Sequence, residues 1–183
     1  MRRLLDVARG IDGATAFVGR WVYWFVLGAV LVSAGNAISR KLLSLSSNAW
    51  LELQWYLFAT VFMLAAAHTL QRNEHIRIDI LSTMFPKRVR DWIDVIGHVV
   101  CLLPMAAVMV YQLVPWVVRS IVSGEVSPNA GGLVLWPARV VVLAGFVLLL
   151  LQGVSELIKR VAVLANLIPD PYERSAGSHG HVE

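Results

Sequence analysis

Three stretches of this chain contain no charged residue: residues 21–39, 53–71 and 95–118. Each is near or above the ~20 residues an α-helix needs to cross about 30 Å of hydrocarbon. A fourth run, residues 140–155, is shorter. Trp136 and Pro137 give it a helical start, because a proline in the first turn gives up an amide that would lack a partner anyway. Arg139 can then reach the interface along its apolar stem, so this span extends to about Leu157. The chain therefore reads as an all-α integral membrane protein with four transmembrane helices, at about residues 20–42, 50–71, 92–119 and 136–158. They form a single membrane domain, residues 1–168, followed by a polar tail, residues 169–183.

Composition agrees. Apolar residues make up 57% of the 183 residues and charged residues 15%, against roughly 45–50% and about 25% in soluble domains. The 16 Lys and Arg exceed the 12 Asp and Glu. That surplus does not point to nucleic acid, because basic residues flanking apolar runs report membrane orientation instead. Four spans put both termini on one side. Arg2, Arg3, Arg9, Arg20, Arg72, Arg77, Lys87, Arg88, Arg90, Lys159, Arg160 and Arg174 share that side, leaving Arg40, Lys41, Arg119 and Arg139 on the other. Twelve against four places both termini in the cytoplasm.

Before the first span, Leu4, Ala8, Ile11, Thr15 and Val18 recur at helical spacing, as in an N-terminal amphipathic helix lying at the interface. The basic leader and Val32-Ser33-Ala34 also resemble a cleaved signal peptide, although the apolar run continues to Ile38. Between spans two and three, Ile76, Ile78 and Ile80 alternate with charges. From Pro86 a helical pattern places Phe85, Val89, Trp92, Ile93 and Ile96 on one face and Lys87, Arg88 and Arg90 on another. Such a segment suits the membrane plane, with its basic groups towards anionic phospholipid headgroups. Pro104 and Pro115 should kink span three. Gly124, Ser127-Pro128-Asn129 and Gly131-Gly132 mark a turn-rich loop before span four.

Polar side chains inside spans are the candidates for function, because burying them costs free energy. They are Asn36, Arg40 and Lys41; Glu52 and Gln54; His68; Asp94, His98 and Gln112; and Gln152 and Glu156. Most lie within about two turns of a span end, and no Asp or Glu lies mid-span. That argues against a carrier with its own ion pathway and against an enzyme. No phosphate-binding glycine loop, Cys/His cluster or nucleophile triad is present, and Cys101 stands alone. No cofactor, metal site or catalytic residue is implied. Two expectations remain open. Arg40 or Lys41 pairs with Glu52 across a short connection, or Glu52 is solvated at a helix N-terminus, which favours its charge. His68 and His98, at comparable depth, could ligate haem in a small electron-transfer subunit. Small residues at Gly28, Gly35, Ala59, Ala66, Gly145 and Gly153, with Gln152, mark where helices approach closely.

Trp50-x-Glu52-x-Gln54-Trp55 opens span two, and Arg72-x-x-His75-Ile76-Arg77-Ile78-Asp79 leaves it, followed by Phe85-Pro86-Lys87-Arg88-x-Arg90. Order and spacing, from about Trp21 to Arg160, resemble the small membrane subunit of tripartite ATP-independent periplasmic (TRAP) transporters, the DctQ type. The resemblance implies a small permease subunit of a sodium-coupled symport system taking up small organic acids. Its partners would be a large membrane subunit, which carries the substrate and sodium sites, and a periplasmic substrate-binding protein. The positions that carry over are structural or interaction candidates: Glu52, Gln54 and Trp55 at the outer end, and His75, Arg77 and Asp79 at the cytoplasmic bend; Arg40 joins them only through the expected pairing with Glu52. The two groups lie about one membrane thickness apart and cannot form one site.

Overall fold

The computed structural model describes residues 2–44, 47–73 and 86–169. Four helical rods are long and apolar enough to cross a membrane. The first, α1 (Arg2–Leu43), is continuous over 42 residues, about 63 Å at 1.5 Å per residue. The expected amphipathic leader is therefore not a separate interfacial helix. Its physical reason is a single seam: Ala8, Thr15, Val22, Ala29 and Asn36 are all buried and recur every seven residues, so leader and span present one stripe to the same neighbours. The leader's apolar spacing reflects packing on protein.

Helix α2 (Asn48–Gln71) runs back along α1. The third rod is α3 (Lys87–Gly97), a single π-helical turn (His98–Leu102) and α4 (Leu103–Ser123). Here the Leu103 amide bonds to the His98 carbonyl, five residues back. Pro104 follows immediately and has no N–H to give, so the wide turn falls where α-helical bonding would fail. Pro115 sits inside α4 without breaking it. Helix α5 (Trp136–Leu164) begins at the expected Trp-Pro pair.

Left-handed residues follow four helices, the first being Ser44 (φ 54°) after α1. Asn73 (φ 55°) follows α2 and Gly124 (φ 60°) follows α4. Asn166 (φ 56°) follows α5, where its amide bonds to the Val163 carbonyl at 2.9 Å and that of Leu167 to Ala162 at 2.9 Å. Gly and Asn tolerate this conformation best, and the reversed bonds satisfy carbonyls the helix leaves open.

Helix α5 is the centre of the bundle. It packs against α1, α2 and α4, while α1 and α2 also pack on each other. Two glycines fix these approaches. A Cβ on Gly145 would stand 2.6 Å from the Met63 Cβ and 2.9 Å from its carbonyl oxygen, and one on Gly153 would meet Leu102 and Leu103 at 3.1 Å. A Cβ on Gly28 would reach Leu57 only at 3.9 Å, and one on Gly35, which is exposed, would meet no neighbouring side chain within 4 Å. Large apolar side chains point out all round the bundle, including Trp24, Leu31, Phe58, Phe62, Val89, Trp92, Ile93 and Ile96, while Gln152, Ser155, Glu156 and Arg160 are buried. This inversion is what lipid as a solvent demands.

Candidate functional site

Two polar assemblies lie at opposite ends of the bundle. At the end where α2 begins, Asn48, Glu52 and Tyr56 are spaced by four and so share one face of the helix. That face grips the loop between α4 and α5. The loop is a small hairpin: the Ser127 amide bonds to Leu133 O (2.9 Å), the Leu135 amide to Glu125 O (3.0 Å), and the Gly132 amide to Asn129 O (2.9 Å). Gly131 sits at φ 69°, and a Cβ on Gly132 would come within 2.6 Å of Ser127 Cβ. Both glycines are thus dictated by the turn.

The Glu52 carboxylate gathers three donors from this hairpin. The Ser127 hydroxyl and Asn129 Nδ2 (2.8 Å) donate to Oε1, and the Leu133 amide donates to Oε2 at 2.7 Å. Asn48 Nδ2 donates to Ala130 O at 3.0 Å and the Tyr56 hydroxyl to Val134 O at 3.2 Å. Behind the hairpin, Arg139 Nη1 pairs with Glu125 Oε2 at 2.7 Å and its guanidinium lies 4.3 Å over the Trp116 ring. Asn48, Leu51, Glu52, Trp55 and Asn129 line an open cleft of about 320 Å³.

This corrects the expected ion pair. Among the described residues no ion pair joins Arg40 or Lys41 to Glu52; both cations are exposed in the last turn of α1. Three neutral donors on a tight loop reach the carboxylate without ordering a long cationic side chain. Glu52 stands in the first turns of α2, half-buried beside the open cleft, with protein donors on both oxygens. Gln54 is half-buried on a neighbouring face, and Trp55 is 73% exposed. His75, Arg77 and Asp79 lie outside the described residues.

The second assembly joins the first turns of α1 to the last turns of α5. Gln152, fully buried, accepts from the Thr15 hydroxyl (2.8 Å) and donates to Asp12 Oδ1 (2.8 Å) and Glu156 Oε1 (3.0 Å). The Ser155 hydroxyl lies 2.8 Å from Asp12 Oδ1 and 3.2 Å from Ala8 O. Lys159 Nζ closes the set, 3.0 Å from Asp12 Oδ2 and 2.5 Å from Glu156 Oε1. Gln71 at the end of α2 donates to the Asp12 carbonyl at 2.8 Å. Next to this, buried Arg160 spans Asp91 (3.3 Å) and Asp94 (3.2 Å) on α3. Each cation sits between two carboxylates, the pairing that makes buried charge tolerable.

Residues 29–163 match the sequence model of the family described as "Tripartite ATP-independent periplasmic transporters, DctQ component". The chain belongs to the DctQ family. Comparison with curated proteins and with solved structures found no match. DctQ proteins are the small membrane component of TRAP transporters, not enzymes. The DctQ match takes in Glu52, its hairpin and the α5 half of the second assembly, but begins after Asp12 and Thr15.

Sequence reasoning singled out Glu52, Asp94, Gln152 and Glu156, and missed Asp12, Asp91, Ser127, Asn129, Ser155 and Lys159 as partners. The spacing Gln152, Ser155, Glu156, Lys159 was the available signal, since it places four polar groups on one helix face. In this DctQ chain each of the two histidines has a partner of its own. His68 is laid on Gly19 of α1, where a Cβ would fall 2.5 Å from its ring, and its Nδ1 meets Gln71 Oε1 at 3.2 Å. His98 turns its Nδ1 to the Asp94 carbonyl at 2.7 Å on its own helix.

Proposed function

We propose that this chain is the small permease subunit of a sodium-coupled, binding-protein-dependent secondary transporter for small organic acids. In this reading it scaffolds and anchors the large transport subunit in a bacterial inner membrane. Residues 1–168 act as one membrane domain with both termini cytoplasmic, and residues 169–183 as a cytoplasmic tail. The observation that carries the reading is the DctQ match over residues 29–163 on a chain of four apolar rods. The scaffolding role draws support from how the charges are used. Asp12, Lys159, Asp91, Asp94 and Arg160 bond helix to helix, and Glu52 bonds a helix to a loop.

With twelve basic residues on the terminal side, Glu52 and its hairpin face the periplasm, where the substrate-binding protein arrives. The exposed Trp55 and the cleft beside Glu52 belong to the surface such a partner would meet. Co-expression with a candidate large subunit and binding protein, followed by sodium-dependent uptake in proteoliposomes, tests the function. Uptake should require this chain. Equal uptake in its absence would overturn the reading.

A further inference from the structure

Outward-facing side chains in the bundle are apolar almost throughout, as on α2, where Trp55, Phe58 and Phe62 point away from the other helices. Helix α4 departs from this. It packs against α5 and makes no comparable contact with α1 or α2, and its open side carries hydrogen-bonding groups at membrane depth. Tyr111 is 78% exposed and Gln112 is exposed beside it. Both lie within the charge-free run of residues 95–118. Gln112 is seven residues before Arg119, about 10 Å along the axis. Neither side chain has a hydrogen-bond partner among the described residues.

The backbone adds a third group. Pro115, exposed on the same side, has no N–H for the Tyr111 carbonyl four residues back. One patch of α4 therefore offers an amide, a phenol and a carbonyl to its surroundings, with donor and acceptor capacity together. Acyl chains can answer none of these, and unsatisfied polar groups are not left facing lipid. Ala107, exposed one turn earlier, leaves room for a close neighbour. Helices in a bilayer associate through this combination of small residues and polar side chains.

We propose that the Tyr111–Gln112–Pro115 patch of α4 is the docking surface for a transmembrane helix of the large subunit. That helix would present a hydroxyl or amide side chain to Gln112 and a donor to the Tyr111 carbonyl. The proposal rests on the subunit reading above and adds the face and the chemistry of contact. The apolar outer face of α2 meets lipid, and α5, enclosed on three sides, is not the contact.

The test uses the full-length chain co-expressed with the large subunit. A benzophenone amino acid replaces Tyr111 in one sample and Phe62 in another, and membranes are irradiated. An adduct with the summed mass of both subunits should form from position 111 and not from 62. An adduct between two copies of this chain, an adduct from 62 alone, or none from 111 although the large subunit co-purifies would overturn the docking face and leave the subunit reading standing. Failure of the large subunit to co-purify with the wild-type chain would overturn both. Gln112→Leu should lower the amount of large subunit retained by about three- to tenfold, the range of one interhelical hydrogen bond in a bilayer. Retention at the wild-type level would count against the patch.

Discussion

Glu52 and Gly145 hold neighbouring elements by opposite means, one by collecting donors and the other by taking up no space. Removing the carboxylate in Glu52→Ala strips the Leu133 amide and Asn129 of their acceptor, while the hairpin keeps its own three backbone bonds. The loop should come loose from α2 without unfolding. Amide exchange over residues 125–135 is expected to rise about tenfold or more, since bonds to a charged group are the stronger kind. Exchange at the wild-type rate would show that the hairpin stands alone. At Gly145 the added methyl of an alanine meets the Met63 backbone, which cannot rotate aside. Overpacking of this kind costs about 1–3 kcal/mol. Gly145→Ala should therefore lower the thermal midpoint in detergent. Gly35→Ala, with open space around it, should be neutral or slightly stabilising through helix propensity.

Helix α1 owes its length to the polar clasp on α5. Asp12 and Lys159 approach at 3.0 Å, with their side chains 24% and 14% exposed, so their attraction is only partly screened by solvent. In a double-mutant cycle, Asp12→Asn and Lys159→Met should each destabilise the chain by about 1–3 kcal/mol, and their combination by less than the sum. Strict additivity would mean the clasp is not formed. The same clasp explains what was legible in the sequence. Span positions, the Trp136-Pro137 start and the buried polar residues of α5 follow from hydropathy and helical spacing, because both are local. The role of the leader was not legible. Ala8 and Thr15 at helical spacing fit a lipid interface and a protein seam equally well, and the choice is made by Gln152 and Ser155, about 140 residues away. The partner of Glu52 was hidden for the same reason: Arg40 is near in sequence, but Ser127, Asn129 and Leu133 are brought to it by the turn.

At the scale of the molecule, the two polar assemblies mark its two ends, and the assignment of each end to a compartment follows from charge. Twelve basic residues on the terminal side against four on the other predict that the hairpin is exported and the end of α5 stays inside, because short basic loops are retained in the cytoplasm. Ala130, exposed at the hairpin tip, and Leu167, exposed just beyond α5, are suitable reporters. Cys101 lies within the charge-free run of residues 95–118, where a membrane-impermeant reagent has no access. It can be replaced by serine for a clean background. In intact cells Ala130→Cys should react with an impermeant maleimide once the outer barrier is opened, whereas Leu167→Cys should react only after the inner membrane is lysed. The reverse pattern would invert the bundle and move Glu52 to the cytoplasm. Its hairpin could then no longer meet a periplasmic protein, although every contact described within the chain would be unchanged.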